Sequence, residues 1–285
     1  MENVKQIVIV GPTASGKTGL SIEIAKKFNG QIISADSRAI YKELVIGTAK
    51  PSAEERQGIV HYGFDLVFPN QKFSSIKFQK YASEMVTLIH KSSKLPIMVG
   101  GSGLYIDSYL FDFKPPKVNS EEAATYESMS VHELQKIIIN HKYIMPKNNQ
   151  NRLHLINTIL RRGVLPTKNQ RPKEGTLIIG LNPGKQVLQK NIKQRADYML
   201  NNGVLEEAIS AFEKYGYYAP GLRGGIYSEL VKYHKDGMEL ETVKENFVKS
   251  DIHLAKRQMT WFKRNSYIKW FNSAVEAKKY LGLLN

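Results

Sequence analysis

Residues 6–18 read QIVIVGPTASGKT, and the fold is decided there. QIVIV is an unbroken apolar run that stops at a glycine. A strand apolar on both sides suits a parallel sheet covered on both faces. The next eight residues, Gly11, Pro12, Thr13, Ala14, Ser15, Gly16, Lys17 and Thr18, fit the pattern G-x-x-x-x-G-K-[ST] between a strand and a helix. The glycines let the chain curl so that backbone N–H groups of residues 13–18 face a diphosphate, and the helix start adds partial positive charge. Lys17 brings a full charge to the phosphate oxygens, and the Thr18 hydroxyl is placed to ligate Mg²⁺. Phosphate binding follows from these residues; the identity of the phosphorylated compound does not.

Outward from this loop, strands alternate with helices. A helix is expected over residues 17–28, with Leu20, Ile24 and Phe28 on one face, and a strand over 31–35 that ends at Asp36. Residues 74–91 have helical periodicity through Ile76, Phe78, Tyr81, Met85, Leu88 and Ile89. Residues 95–99 (LPIMV) form a further strand, closed by Gly100-Gly101-Ser102-Gly103. The alternation predicts an α/β fold, a P-loop doubly wound parallel sheet. Beyond Phe113 the character changes. Pro115-Pro116 precede a helix near 131–140, a basic helix follows over 149–162, and residues 176–181 (TLIIGL) return to the sheet as a strand. Helices over 185–201, 204–214 and 240–264 complete the chain. The expected organisation is a P-loop core at 1–112, a short helical insertion at 113–140 and a basic helical region at 141–285.

Composition narrows the function classes. The chain has 285 residues, 42% hydrophobic and 24% charged, with no cysteine, which suits a globular protein and excludes disulfides and thiolate metal sites. No apolar run approaches the roughly 20 residues of a membrane helix, and a secretory leader pattern is missing, so a cytoplasmic protein with no membrane partner is expected. Lys and Arg total 41 against 26 Asp and Glu, a formal net charge of +15. The excess is uneven: residues 142–173 carry Lys142, Lys147, Arg152, Arg161, Arg162, Lys168, Arg171 and Lys173 and no acid. Concentrated positive charge is the footprint of a polyanion partner.

Asp36 is the acid nearest a predicted strand end. Beyond the carboxyl end of a parallel strand it would face the ligand crevice and could act as a base, or it could cap a helix over 37–41; position alone leaves both open. No apolar strand ends in the acid that a nucleotide hydrolase needs for its metal and water.

Five segments in order, GPTASGKT at 11–18, ISADS at 33–37, IGTAKPS at 46–52, VGGSGLY at 99–105 and LAKRQMTWFKR at 254–264, resemble the tRNA dimethylallyltransferase (isopentenyl-tRNA transferase) family along most of the chain. GTAKP and AKRQxTWF are the specific pieces, because many kinases share the phosphate loop. The resemblance implies a P-loop core that holds dimethylallyl diphosphate rather than ATP, with Mg²⁺ assisting, and a helical part that binds the anticodon stem-loop of tRNA. The implied reaction moves the dimethylallyl group to N6 of the adenosine 3′-adjacent to the anticodon, in tRNAs reading codons that begin with U. A monomer is expected.

It further implies Asp36 as base, Arg223 (in LRGGIYSE) beside the diphosphate, and Ser102 in the place of a threonine that touches the target nucleotide. Asp36, Ser37, Arg38, Ala39 and Ser102, with Asn151, Arg152, Leu153 and His154, are the implied tRNA contacts. Lys256, Arg257, Lys263 and Arg264 with Trp261 and Phe262 stay ambiguous, the two aromatics favouring core over base stacking. This chain departs from the family's pattern in a short insertion, in Ala39 where glutamine is frequent, in Leu155 for a second arginine, and in Ile226 for the glycine before Tyr227. A P-loop kinase, an adenylate isopentenyltransferase and an RNA-binding protein with an inactive core are the alternatives; the phosphate loop alone supports the first. The basic stretch argues against the second, and an intact Lys17, Thr18 and Asp36 against the third.

Overall fold

The structure, a computed structural model, describes residues 3–116 and 122–283. The chain forms two compact units, one of Met1–Leu110 with Pro172–Asn285 and one of Phe111–Arg171. The larger begins with β1 (Gln6–Val10), α1 (Lys17–Lys27), β2 (Gly30–Ser34), α2 (Ala53–Arg56), β3 (His61–Tyr62), α3 (Ser75–Lys91), β4 (Leu95–Gly100) and α4 (Gly103–Leu110). The smaller holds α5 (Ala123–Glu127), α6 (Val131–Asn140) and α7 (Arg152–Leu160). The larger resumes with β5 (Thr176–Leu181), α8 (Lys185–Asn201), α9 (Val204–Tyr215), α10 (Ile226–Asp236), α11 (Leu240–Phe262), β6 (Ile268–Phe271) and α12 (Ala274–Tyr280).

The six described strands make one sheet in the order β3-β2-β4-β1-β5-β6, parallel throughout. β1 lies inside, its Ile7 opposite Ile97 of β4 on one side and Leu177 of β5 on the other. All five of its residues are buried, as expected for a strand covered on both faces. Ile7, Ile9, Leu20, Ile24, Ile32, Ile97, Ile179 and Leu181 share a core with Ala277 of α12. At roughly 1.5–3 kcal/mol for each fully buried aliphatic side chain, this layer is a principal source of the unit's stability.

Local signals set several boundaries. Ser74 caps α3, its Oγ accepting from Lys77 N at 3.2 Å. Ser130 and Glu133 close a reciprocal capping box on α6. On α3 the buried stripe is narrower than the sequence periodicity suggests: Phe78, Ala82 and Ile89 are buried, whereas Ile76 and Leu88 are exposed.

Several features differ from expectation, among them the helices α2, α4, α5 and α12, which fall where none was expected. Two residues of β3 and four of β6 extend the sheet at its edges, too short to give a periodic signal. α10 occupies a stretch that carried no expected element. The basic helix groups with the insertion instead of the C-terminal region, because Leu155, Ile156 and Ile159 of α7 pack on Leu134 and Ile138 of α6. Leu155, at the position where arginine was expected, is fully buried there and is a core residue in this chain. Among the described residues no helix is long and apolar enough to cross a membrane.

Candidate active site

The carboxyl ends of parallel strands open a crevice for ligands. In this sheet Val10 of β1 pairs with Gly100 of β4, and Val99 of β4 with Ser34 of β2. The phosphate loop, Asp36 and the Gly101–Ser102 turn therefore leave the sheet along the same edge.

Two glycines are required by the loop's path. A Cβ on Gly11 would lie 2.6 Å from the Leu181 carbonyl oxygen, and Gly16, at φ 86°, enters α1 through the left-handed region. Ala14 also adopts a left-handed φ of 59°, a conformation that costs about 1–2 kcal/mol for a residue with a side chain. Asn191 of α8 holds it, Nδ2 donating to the Ala14 carbonyl at 2.9 Å.

Lys17 lies under the loop, its Nζ donating to the Pro12 carbonyl at 2.5 Å and to Ser15 Oγ at 3.3 Å. Burial lowers its pKa to about 8; Asp36 opposes that shift and Arg195 adds to it. A desolvated ammonium facing another cation gains from an arriving anion, which is the property a diphosphate site needs. Thr18 is exposed at the start of α1. Thr13 departs from expectation: its N–H does not face the ligand space but donates to Gln258 Oε1 at 2.8 Å, while its hydroxyl accepts from Arg195 Nη1 at 2.6 Å. Arg195 in turn pairs with the buried Asp251 of α11. Burial raises the Asp251 pKa, and Arg195 works against that rise.

Asp36 serves the backbone through one oxygen. Its Oδ1 accepts from Arg38 N at 2.7 Å and from Ala39 N at 3.4 Å. Residues 37–40 are turns, not the helix considered at 37–41, so Asp36 caps a turn, and neither bond engages Oδ2. Ser102 Oγ accepts from Ser37 N at 2.9 Å and donates to Ser37 Oγ at 3.1 Å. Arg38 Nη2 reaches the Arg223 carbonyl at 3.1 Å. Arg223 itself is exposed and donates through Nε to the Tyr218 carbonyl at 2.6 Å. Its backbone thus belongs to the Asp36 neighbourhood while its guanidinium is turned to Tyr218. Ala39 is 4% exposed, so its methyl is core; Asp36, Ser37 and Arg38 are partly exposed.

In the smaller unit, Asn151, Arg152, Leu153 and His154 are all exposed at the start of α7. Asn151 is its cap, Oδ1 accepting from Leu153 N at 3.0 Å and His154 N at 3.4 Å. Of the two ambiguous aromatics, Phe262 is buried, and the partly buried Trp261 donates through Nε1 to Asp107 Oδ2 at 2.8 Å.

The GTAKP segment also has a structural explanation. Glu207 of α9 accepts from the N–H groups of Val45, Ile46 and Gly47 at 2.7, 2.9 and 2.9 Å and from Tyr227 Oη at 2.5 Å. A Cβ on Gly47 would lie 2.4 Å from Tyr227 Cζ. Lys50 is 7% exposed and bonds the Tyr41 carbonyl at 2.5 Å and Asp65 at 2.6 Å. The motif thereby fixes the residues that follow Asp36. Sequence reasoning assigned no role to Asn191, Arg195, Asp251 or Glu207. Gln258 stood inside a quoted motif, which was the only signal available for any of them.

The sequence profile of the IPP transferase family matches residues 39–265. A tRNA dimethylallyltransferase of a Thermoanaerobacter species is 38% identical, over 94% of this chain and 91% of that relative. A tRNA isopentenylpyrophosphate transferase of Bacillus halodurans superposes with a TM-score of 0.74 at 29% identity, covering 98% of this chain and 96% of that one. A eukaryotic dimethylallyltransferase captured acting on tRNA gives a TM-score of 0.77 at 25% identity, with 97% and 76% covered.

Proposed function

This chain belongs to the IPP transferase family, and from that premise we propose that it transfers a dimethylallyl group from dimethylallyl diphosphate to N6 of the adenosine 3′-adjacent to the anticodon, in tRNAs reading codons that begin with U. The supporting observation is the juxtaposition of the phosphate loop, which follows Val10, with Asp36, which follows Ser34, at the carboxyl ends of strands both paired to β4; the carboxylate also favours the charged form of Lys17. Donor and acceptor chemistry thus meet at one edge of the sheet.

The N6 lone pair attacks the allylic carbon, the carbon–oxygen bond breaks, and diphosphate departs with the bonding electrons. Lys17 and the loop's free N–H groups are in place before that charge develops, so little reorganisation is needed at the moment of transfer. The nitrogen gains a bond and must lose a proton, and Asp36 Oδ2 receives it. Ser102 and Ser37, hydrogen-bonded to each other, orient the acceptor nucleotide. Arg223 joins the diphosphate by releasing the Tyr218 carbonyl. A base stacked in a loop presents N6 poorly, so the adenine is extruded toward Asp36. The basic, exposed start of α7 holds tRNA phosphates. A tRNA substrate is consistent with a cytoplasmic enzyme.

Mg²⁺ fits these residues as an ion held mainly by the donor. Among the described residues no group of three or more His, Cys, Asp or Glu could cage a metal, and Mg²⁺ characteristically takes one or two protein oxygens plus substrate phosphates. Thr18, exposed at the start of α1, would be the protein ligand, and the ion would neutralise charge on the leaving diphosphate.

Diphosphate release from dimethylallyl diphosphate, followed with and without tRNA, tests the proposal. Release that requires tRNA supports it; ADP formed from ATP on an acceptor, with dimethylallyl diphosphate inert, would replace it with a kinase.

A further inference from the structure

Gln258 lies on α11, remote in sequence from both halves of the site, and its side-chain amide touches both. Oε1 accepts from Thr13 N of the phosphate loop at 2.8 Å, and Nε2 donates to the Gly101 carbonyl at 3.1 Å. Beyond Gly101, the Ser102 N–H donates to the Ala35 carbonyl at 3.3 Å, and the Ser102 hydroxyl is bonded twice to Ser37. An unbroken series of hydrogen bonds thus runs from the donor's loop to the residues on either side of Asp36. We propose that Gln258 is a positioning residue that fixes the phosphate loop against the Gly101–Ser102 turn, and hence the leaving group against the acceptor nucleotide and Asp36.

The side chain suits that task for a chemical reason. A primary amide offers an acceptor and a donor on one planar, uncharged head. Thr13 N can only donate and the Gly101 carbonyl can only accept, so the amide's orientation is set by its partners. The approach at Gly101 is close: a Cβ there would lie 2.4 Å from Gln258 Nε2. The Thr13 end of the link is stiffened independently. Its hydroxyl is held by Arg195, and Arg195 by Asp251, which sits seven residues before Gln258 on the same helix. One helix therefore holds Thr13 by two routes and the Gly101 turn by a third contact. An adjustment of either loop is resisted by the other.

The inference rests on the proposed prenyl transfer, and single-turnover transfer at saturating dimethylallyl diphosphate and tRNA separates the two. Wild-type protein without transfer refutes the function. With wild type active, Gln258→Ala and Gln258→Glu are compared. The glutamate keeps an acceptor for Thr13 N but sets a carboxylate oxygen against the Gly101 carbonyl, so both variants lose the link. Because a displacement of about 1 Å can cost about 100-fold in rate, each variant is expected to be slower by about that factor, with dissociation constants for inorganic diphosphate and tRNA changed less than about threefold. Thermal unfolding identifies a variant that fails to fold, in which case the other carries the test. A wild-type rate in folded Gln258→Glu overturns the inference. So does a loss that appears only in donor affinity, or one that merely follows the unfolded fraction.

Discussion

Replacing Asp36 by asparagine separates the turn cap made by Oδ1 from the proton acceptance proposed for Oδ2. Oδ1 caps the turn through Arg38 N at 2.7 Å and Ala39 N at 3.4 Å. Asparagine keeps a carbonyl oxygen there, and Asn and Asp are nearly equal as caps, so the stability change should be only a few tenths of a kcal/mol. At the Oδ2 position the variant carries an NH₂ group that cannot take a proton. General-base catalysis is worth about 10²–10⁴-fold, which at about 1.4 kcal/mol per decade is about 3–5 kcal/mol of transition-state stabilisation lost. Alanine removes the cap as well and should cost a further 0.5–2 kcal/mol, roughly, of folding stability. Asp36 also supports the charge on Lys17, so the comparison belongs near pH 7, where a lysine titrating near 8 is still mostly protonated. Single-turnover transfer and urea unfolding measured on the same preparations decide the matter. An Asp36→Asn enzyme within about tenfold of wild type would leave Asp36 as a cap and refute its role as base.

Three further perturbations follow from the geometry. Lys17→Ala removes a charge-assisted bond worth about 1.5–3 kcal/mol, so the dissociation constant for dimethylallyl diphosphate should rise about 10–150-fold by calorimetry while tRNA affinity holds; the reverse ranking contradicts the donor assignment. Gly47→Ala forces a methyl to within 2.4 Å of Tyr227 Cζ, an overpacking that should cost about 1–3 kcal/mol in urea unfolding, and an unchanged midpoint would show that the loop yields. His61 donates through Nδ1 to the Ile59 carbonyl at 2.8 Å while Nε2 is buried without a partner, and burial lowers its pKa. The folded pKa lies below the unfolded value, so its contribution is complete above about pH 6.5 and is lost as pH falls through the folded pKa. His61→Gln should flatten that acid-side slope of stability, and a steeper slope in the variant would be contrary evidence.

Much of the fold was legible because its signals are local. β1 and β5 are apolar runs bounded by turn residues, and α6 announces itself with Ser130 and Glu133 three apart ahead of an apolar face. The phosphate loop is a contiguous motif with a backbone reason for each glycine. What was not legible depends on distant partners. The Arg195–Asp251 pair joins residues 56 apart on two helices, and nothing in either neighbourhood marks it. GTAKP was visible as a pattern, but Gly47 is required by Tyr227, 180 positions away in the chain. Leu155 looked like a lost tRNA contact until its burial against Leu134 and Ile138 made it a packing residue. The short strands β3 and β6 owe their conformation to the neighbouring strand, not to any period of their own. Topology alone set Asp36 just beyond the end of β2, while the cap that its Oδ1 makes to Arg38 and Ala39 needed coordinates.

The proposed activity joins a dimethylallyl group to an anticodon-loop adenosine. Mass analysis of nuclease-digested tRNA, after incubation with the protein, Mg²⁺ and dimethylallyl diphosphate, addresses it directly. One dimethylallyl increment, confined to the fragment carrying the adenosine 3′-adjacent to the anticodon and formed about 10²–10⁴-fold more slowly with Asp36→Asn, is the result expected. Unmodified tRNA under conditions where the protein binds both tRNA and the donor would contradict it.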